Sequence, residues 1–231
     1  MTAAAILVAA GSGQRLGADV PKAFVRVAGH TLLEHAVRRF AGHPDVDSVV
    51  VVAPRAELAR AAELAGPGVV VVSGGATRQD SVACGLAALE DDPSLVLVSD
   101  VARPFVPAAV ITAVVAALRE GAVAVVPVVP IHDTVRARGE SGALGPVVDR
   151  STLVAVQTPQ GFRRDVLAAA HAAGAPGATD DAMLVEALGH PVDPVTGADE
   201  SFKITTRLDL ARAETVALLS SASPARPGGT P

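Results

Sequence analysis

The reading of the fold starts from Ala3-Ala-Ala-Ile-Leu-Val-Ala-Ala-Gly-Ser-Gly-Gln-Arg-Leu-Gly17. Ala3 to Ala10 is an unbroken apolar run, which suits a parallel strand buried on both faces. The glycines that follow let backbone N–H groups approach phosphate oxygens beyond the strand's carboxyl end. The loop does not match a dinucleotide fingerprint, because the third glycine would fall at position 16, which is Leu16. Nor is it a Walker loop, since no Gly-Lys-Ser/Thr follows. It carries Arg15 instead and, after Pro21, Lys22. Pro21 argues against one continuous helix through both cations. The segment can therefore bend around a polyphosphate, whose roughly four negative charges suit paired cations. A plain strand-to-helix loop with two solvated charges is the other reading of the same residues.

Working outward, strands and helices alternate. Thr31-Leu-Leu-Glu34 has capping-box spacing and opens a helix through Phe40. Val49 to Ala53, Val69 to Ser73, Leu95 to Ser99 and Ala122 to Val129 read as strands. Asp80 or Ser81 caps a helix through about Leu89, and another helix covers Pro107 to Glu120. This βαβα order predicts an α/β fold with a mostly parallel sheet and helices on both faces. The rhythm breaks at residues 130–157, where no helix is legible. A stretch this long without one is unusual in a compact domain and often functional, so it reads as a protruding β-arm or hairpin. Helical patterns resume near Arg163 and at Thr179-Asp180, with Asp180 as a helix cap. A strand over Pro191 to Val195 and a helix over Arg207 to Leu219 complete a single domain of residues 1–219. Residues 220–231, rich in Ser, Pro and Gly, read as a disordered tail.

Composition narrows the function. The 231 residues carry a net charge of −5, no basic run, five Phe and neither Tyr nor Trp, which argues against a nucleic-acid partner. Mean hydropathy is +0.42, yet no apolar run approaches the ~18 residues that cross a bilayer. The start of the chain lacks a basic region and leads straight into the glycine loop, so no signal peptide or membrane partner is expected and the location is read as cytoplasmic. Cys84 stands alone and cannot form an intrachain disulfide. His30, His35, His43, His132, His171 and His190 have no zinc-ligand spacing.

Further motifs follow the later strands. They are Gly74-Gly-Ala-Thr-Arg-Gln-Asp-Ser81, Ser99-Asp-Val-Ala-Arg-Pro104, Asp133-Thr134, Val148-Asp-Arg150, Gln157-Thr-Pro-Gln160, Thr179-Asp-Asp-Ala182 and Lys203-Ile-Thr205. In this order and spacing the set resembles the 2-C-methyl-D-erythritol 4-phosphate cytidylyltransferases of the non-mevalonate isoprenoid pathway, over roughly residues 3–217. The related ribitol-5-phosphate cytidylyltransferases share most of it.

The resemblance implies a Rossmann-like nucleotidyltransferase sheet, a homodimer joined by exchanged arms, Mg²⁺ as cofactor, and CTP and a small sugar-alcohol phosphate as partners. It implies that Arg15 and Lys22 face the triphosphate. Ala9, Ala10, Gly75, Ala76 and Ser81 would form the cytidine pocket, with Gly11 and Gly13 on the phosphates. Asp100 would carry the metal and border the acceptor, with Arg103, Thr134 and Thr158. Arg150 and Lys203 would hold the attacking phosphate, and Thr134 and Arg150 would come from the partner subunit. Other readings of single residues stay open. Asp100 also suits a helix cap or an arginine partner, Arg103 a pair with Asp100, and Thr134 and Thr158 a turn or strand-bridging hydrogen bond. Arg78 reads as a brace for the second glycine loop. The sequence departs from the family's common pattern at Ser99, Val101 and Ser201; Val101 adds two methyl groups beside the expected ligand pocket.

Two other classes compete with the transferase. A nucleotide-binding regulator without catalysis would have no need for Arg150 on the acceptor side. An NAD-dependent oxidoreductase lacks its third glycine.

Overall fold

A computed structural model describes residues 1–10, 20–90, 93–175 and 177–222. The strands, in chain order, are β1 (Ala3–Val8), β2 (Arg26–Val27), β3 (His30–Thr31), β4 (Ser48–Ala53), β5 (Val70–Ser73), β6 (Leu95–Asp100), β7 (Ala124–Pro130), β8 (Val135–Arg138), β9 (Leu144–Val148), β10 (Val154–Val156), β11 (Gln160–Arg163) and β12 (Asp193–Thr196). The helices are α1 (Leu32–Ala41), α2 (Leu58–Ala65), α3 (Arg78–Ala87), α4 (Ala108–Arg119), α5 (Arg164–Ala173), α6 (Asp181–Ala187) and α7 (Arg207–Ala222).

β1 lies at the centre, parallel to β4 on one side and β6 on the other, and β5 extends the sheet beyond β4. Period-two geometry divides its apolar run between two layers. Ala3, Ala5 and Leu7 join Val49, Val51, Leu95 and Leu97 against α1 and α4. Ala4 and Ile6 join Val50, Val52, Val96 and Val98 against Val82 of α3, Leu167 of α5 and Leu184 of α6. Both faces are covered, so a continuous apolar run is what the position demands.

The far side of the sheet is less regular. β11 runs antiparallel between β6 and β7. β10 pairs with β7 along the same edge as β11: Val154 faces Pro130, Gly161 faces Val125, and the Gln157 N–H donates to the Pro127 carbonyl between them. β12 takes the other edge of β7 in parallel. β8 and β9 pair with each other in a separate two-stranded sheet. The arm is therefore a hairpin, and the end of the 130–157 stretch returns to the main sheet as β10.

The capping box of α1 forms as expected: the Glu34 N–H donates to Thr31 Oγ1, and the Thr31 N–H donates to Glu34. The cap of α3 is corrected. Thr77 caps it, with Asp80 as the reciprocal partner three residues on, and Ser81 lies inside the helix. Helix α7 runs through Ala222, so 220–222, read as the start of the tail, are helical; residues 223–231 lie outside the described residues.

Gly161 shows how tightly β11 is wedged. A Cβ there would lie 2.4 Å from Val114 Cγ1 and 2.8 Å from Leu118 Cδ1 of α4. Gly161→Ala is expected to lower stability by about 1–3 kcal/mol through overpacking, read as a lower denaturant midpoint with an unchanged slope.

Candidate functional site

The carboxyl ends of the parallel strands come level at one edge of the sheet. Val8 pairs with Asp100 and with Val52, and Ala53 pairs with Ser73. Asp100, the last residue of β6, is the charge on which this edge is organised. Its side chain is 11% exposed. Lys203 Nζ donates to its Oδ2 at 2.6 Å, and Arg78 Nε donates to its Oδ1 at 3.4 Å. Burial alone would raise the carboxyl's pKa. The Lys203 ammonium, then Arg78 and Arg103, outweigh it and hold the carboxyl below its ordinary value. Asp100 is thus an ionised group at the rim of the sheet, with cations gathered from the adjoining loop and from two distant parts of the chain.

Arg78 is the first residue of α3, and its guanidinium lies between two carboxylates. Besides Asp100 it reaches Asp181, where Nη1 donates to Oδ2 at 2.7 Å. Burial disfavours its charge, but Asp181 and then Asp100 overcome that and raise its pKa. Arg103 does not ion-pair directly with Asp100, as one reading of the sequence expects. Its Nη1 donates to the Ser201 carbonyl at 2.7 Å, and its charge acts on Asp100 through space. Burial lowers its pKa, Asp100 pulls it back up and Arg78 adds to the lowering; a guanidinium remains protonated throughout. Arg103 Nε and Ser201 Oγ are both buried without a hydrogen-bond partner among the described residues.

The Gln157-Thr-Pro-Gln160 motif ties three pieces to this edge. Gln157 exchanges two hydrogen bonds with the Ala198 backbone, donating to its carbonyl at 2.9 Å and accepting from its N–H at 3.1 Å. Thr158 Oγ1 accepts from the Asp100 N–H at 3.1 Å and lies 3.3 Å from Ser99 Oγ. Thr158 therefore makes the strand-bridging bond that its sequence position allows. Gln160 donates to Asp180 Oδ2 at 2.7 Å and accepts from the Ala182 N–H at 3.2 Å, which docks the start of α6. Asp180 caps that helix through the Met183 N–H, as expected.

On the other side of β1, Ala9 is buried and its N–H donates to the Val52 carbonyl at 2.8 Å. Ala10 packs against the glycine loop, within 2.9 Å of where a Cβ on Gly74 would stand. A Cβ on Gly75 would lie 2.3 Å from Asp80 Cβ, so only glycine fits the turn. Gly75 and Ala76 are exposed. The buried Ser81 hydroxyl accepts from the Gly75 N–H at 3.2 Å and donates to the Thr77 carbonyl at 2.8 Å, so it shapes the loop from beneath. Val101, expected beside the ligand pocket, is buried in the same apolar layer as Phe105 and Val106.

Lys22 opens a single 3₁₀ turn whose next residues, Ala23 and Phe24, are buried. The ring of Phe24 is covered by the Arg60 guanidinium at 4.5 Å. Thr134 and Arg150 stand exposed on the arm, and Arg150 Nη1 donates to the His132 carbonyl at its base. Gly11, Gly13 and Arg15 lie outside the described residues. The structure therefore brings Asp100, Arg103, Thr158 and Lys203 together, sets Ala9, Ala10, Gly75, Ala76 and Ser81 along the neighbouring strand ends, and leaves Thr134 and Arg150 on the hairpin. Sequence reasoning missed Asp181 and His171, whose Nε2 lies 3.0 Å from Asp181 Oδ1. The only signal was the doubled Asp180-Asp181 behind a helix cap.

An α/β sheet whose strand ends carry a glycine loop, an ionised Asp and clustered cations is the architecture of a nucleotidyltransferase. The chain belongs to the IspD family, 2-C-methyl-D-erythritol 4-phosphate cytidylyltransferase, whose family model matches residues 3–218. A relative of that name from Saccharopolyspora erythraea is 51% identical over 222 residues, covering 94% of this chain and 99% of the relative. One from Frankia casuarinae is 48% identical, covering 96% and 83%. The crystal structure of the protein of the same name from Thermus thermophilus is 42% identical with a TM-score of 0.77, covering 92% of this chain and 98% of that one.

The segment carrying Lys203 is fastened immediately downstream by Asp209. Its Oδ2 accepts from the N–H and hydroxyl of Thr205 at 2.8 and 2.7 Å, and from those of Thr206 at 2.7 and 2.9 Å. Slight burial opposes ionisation, but these bonds win and the pKa falls from 3.8 to about 2. The folded-state value is depressed, so the stabilisation is present above the ordinary carboxyl pKa and is lost as pH falls through the folded value. Asp209→Asn should cost about 0.5–1 kcal/mol at neutral pH, the range of an exposed cap discounted for solvent screening. The difference from the unsubstituted protein should vanish as urea melts are taken from pH 4 towards pH 2.

Proposed function

We propose that this chain transfers the cytidylyl group of CTP to 2-C-methyl-D-erythritol 4-phosphate, forming 4-diphosphocytidyl-2-C-methyl-D-erythritol and pyrophosphate in isoprenoid-precursor synthesis, and that it works in the cytoplasm. The observation that carries the reading is the convergence of Asp100, Arg103 and Lys203 at the strand ends of a chain matched by this family from residue 3 to residue 218. The attacking group is a phosphomonoester, whose second pKa of about 6 leaves it mostly dianionic at neutral pH. No general base is then required. The obstacle is bringing two anions together, and catalysis consists of positioning and charge neutralisation.

In this reading Arg15 and Lys22 meet the triphosphate and stabilise the charge that grows as pyrophosphate leaves. Ala9, Ala10, Gly11, Gly13, Gly75 and Ala76 offer backbone groups to the nucleotide, with Ser81 fixing the loop. Lys203 and the partner's Arg150 hold the acceptor phosphate in line, with Arg103, Thr158 and the partner's Thr134 around it. The buried, uncommitted Nε–H of Arg103 supports a ligand role, since such a donor is rarely left unpaired. Asp100 would hold Mg²⁺, and a single ionised carboxylate suits this ion, which takes its other ligands from phosphate and water. Bound there, the ion supplies charge neutralisation and a fixed triphosphate geometry.

Two features support a homodimer with exchanged arms. The β8–β9 hairpin presents Leu144 and Val147, each 63% exposed. A groove of about 660 Å³ at its base is lined by Val128, Pro130, Ile131, Leu153, Val154 and Val195. A second copy would cover both by symmetry.

Purified protein with CTP and Mg²⁺ should release pyrophosphate with methylerythritol 4-phosphate. Release only with ribitol 5-phosphate would replace the acceptor but keep the reaction class, and release with neither would leave a nucleotide-binding protein. The exchange of arms has its own test. Lys22→Ala and Arg150→Ala homodimers should each be nearly inactive. Randomly paired, about half the dimers are mixed, and crossing arms give each mixed dimer one intact site, so about a quarter of all sites should work. Arms that serve their own subunit leave the mixture inactive.

A further inference from the structure

The carboxylate of Asp181 is completely buried at the start of α6. Oδ2 accepts from Arg78 Nη1 at 2.7 Å, and Oδ1 accepts from His171 Nε2 at 3.0 Å. A carboxylate only accepts, so the Nε2 of His171 carries the proton in that bond. A buried pair of this kind is a poor stabiliser, because the loss of hydration cancels much of the attraction. Its location suggests another use. Arg78 is held short at Asp181 and long, at 3.4 Å, at Asp100. A guanidinium can grip a carboxylate through two parallel N–H bonds. Released from Asp181, Arg78 would be free to close on Asp100 in that way and occupy the oxygens that a divalent cation needs. Arg78 also begins α3 directly after the glycine loop, and Gln79 beside it donates to the Ala178 carbonyl at 3.0 Å. The glycine loop, Asp100 and the start of α6 are thus fixed relative to one another through one residue.

We propose that Asp181 is a positioning residue for the cytidylyl transfer: it anchors Arg78 and keeps the guanidinium from closing on Asp100, so that the Asp100 carboxylate stays open to the divalent cation. The inference rests on the transferase reading and concerns residues that touch neither substrate in it.

Asp181→Asn keeps the shape and removes the anchor. It is expected to lower kcat about 10- to 100-fold and to weaken Mn²⁺-dependent CTP binding, measured by calorimetry, by about 10-fold or more, the range for groups behind a metal ligand. The KM for methylerythritol 4-phosphate should change little. In an Arg78→Gln background the same substitution should cost nothing further, because the two residues act as a unit. An equal loss in both backgrounds, or normal turnover and Mn²⁺ affinity in Asp181→Asn, overturns the proposal. Should Asp181→Asn fail to fold by circular dichroism, Arg78→Gln alone decides. With no guanidinium left to close on Asp100, Mn²⁺-dependent CTP binding that stays close to that of the unsubstituted protein supports the proposal, and a loss of about 10-fold or more overturns it. If the unsubstituted protein releases no pyrophosphate with either acceptor, the transferase reading fails, while the Mn²⁺ and CTP titration still judges the role of Asp181.

Discussion

The Asp100 carboxylate is a charge nine-tenths removed from water at the end of a β-strand, and much of the structure is arranged to keep it ionised there. A buried carboxylate is tolerated only with opposite charge and hydrogen-bond donors close by. Here the charge comes from Lys203, Arg78 and Arg103, and Thr158 Oγ1 accepts the backbone N–H of the same residue. These partners lie on four separate segments. The chain must therefore send β11 back between β6 and β7, and return from β12 past Ala198 to Lys203. The double hydrogen bond of Gln157 to Ala198 and the four bonds into Asp209 hold that return path in place.

The parts legible in the sequence are those where local chemistry and tertiary environment agree. β1 reads as a buried strand because its alternating residues feed two separate apolar layers. The Thr31–Glu34 box forms because its bonds are local. Helix α2 is not legible because it buries only Ala61 and Ala65, so no bulky period marks it. β11 is hidden because Gln160-Gly-Phe-Arg163 has one large apolar residue, and its strand identity comes from the neighbours on both sides. The cap of α3 reads three residues or more too late because Thr77, Asp80 and Ser81 are all capping types, and only the backbone path chooses among them.

The site divides in the same way. The residue types at Asp100, Arg103 and Lys203 read as anion and metal groups, but a sequence separation of 103 places the contact of Asp100 with Lys203 beyond any spacing rule. The motif resemblance supplies that pairing of roles. It gives no role to Asp181, which its Thr179-Asp-Asp-Ala182 motif contains, or to His171, and both sit one layer behind. Val101, whose added methyl groups stand near the expected ligand pocket, packs in the apolar layer with Phe105 and Val106.

The cluster also carries an imbalance of charge with a direction. Among its described side chains, Arg78, Arg103 and Lys203 face Asp100 and Asp181, three cations against two carboxylates. Arg78 is committed to Asp181, and Arg103 is held by a backbone carbonyl. Lys203 is the member best placed to exchange partners: a flexible chain, 40% exposed, whose ammonium is bonded to Asp100. An incoming phosphate dianion offers it more charge than one carboxylate does, and a divalent cation at Asp100 would repel it. In the proposed transfer both effects would push Lys203 towards the acceptor phosphate. Occupation of Asp100 would then be coupled to release of Lys203, with Arg78 and Arg103 on either side to keep the geometry while one pair exchanges partners.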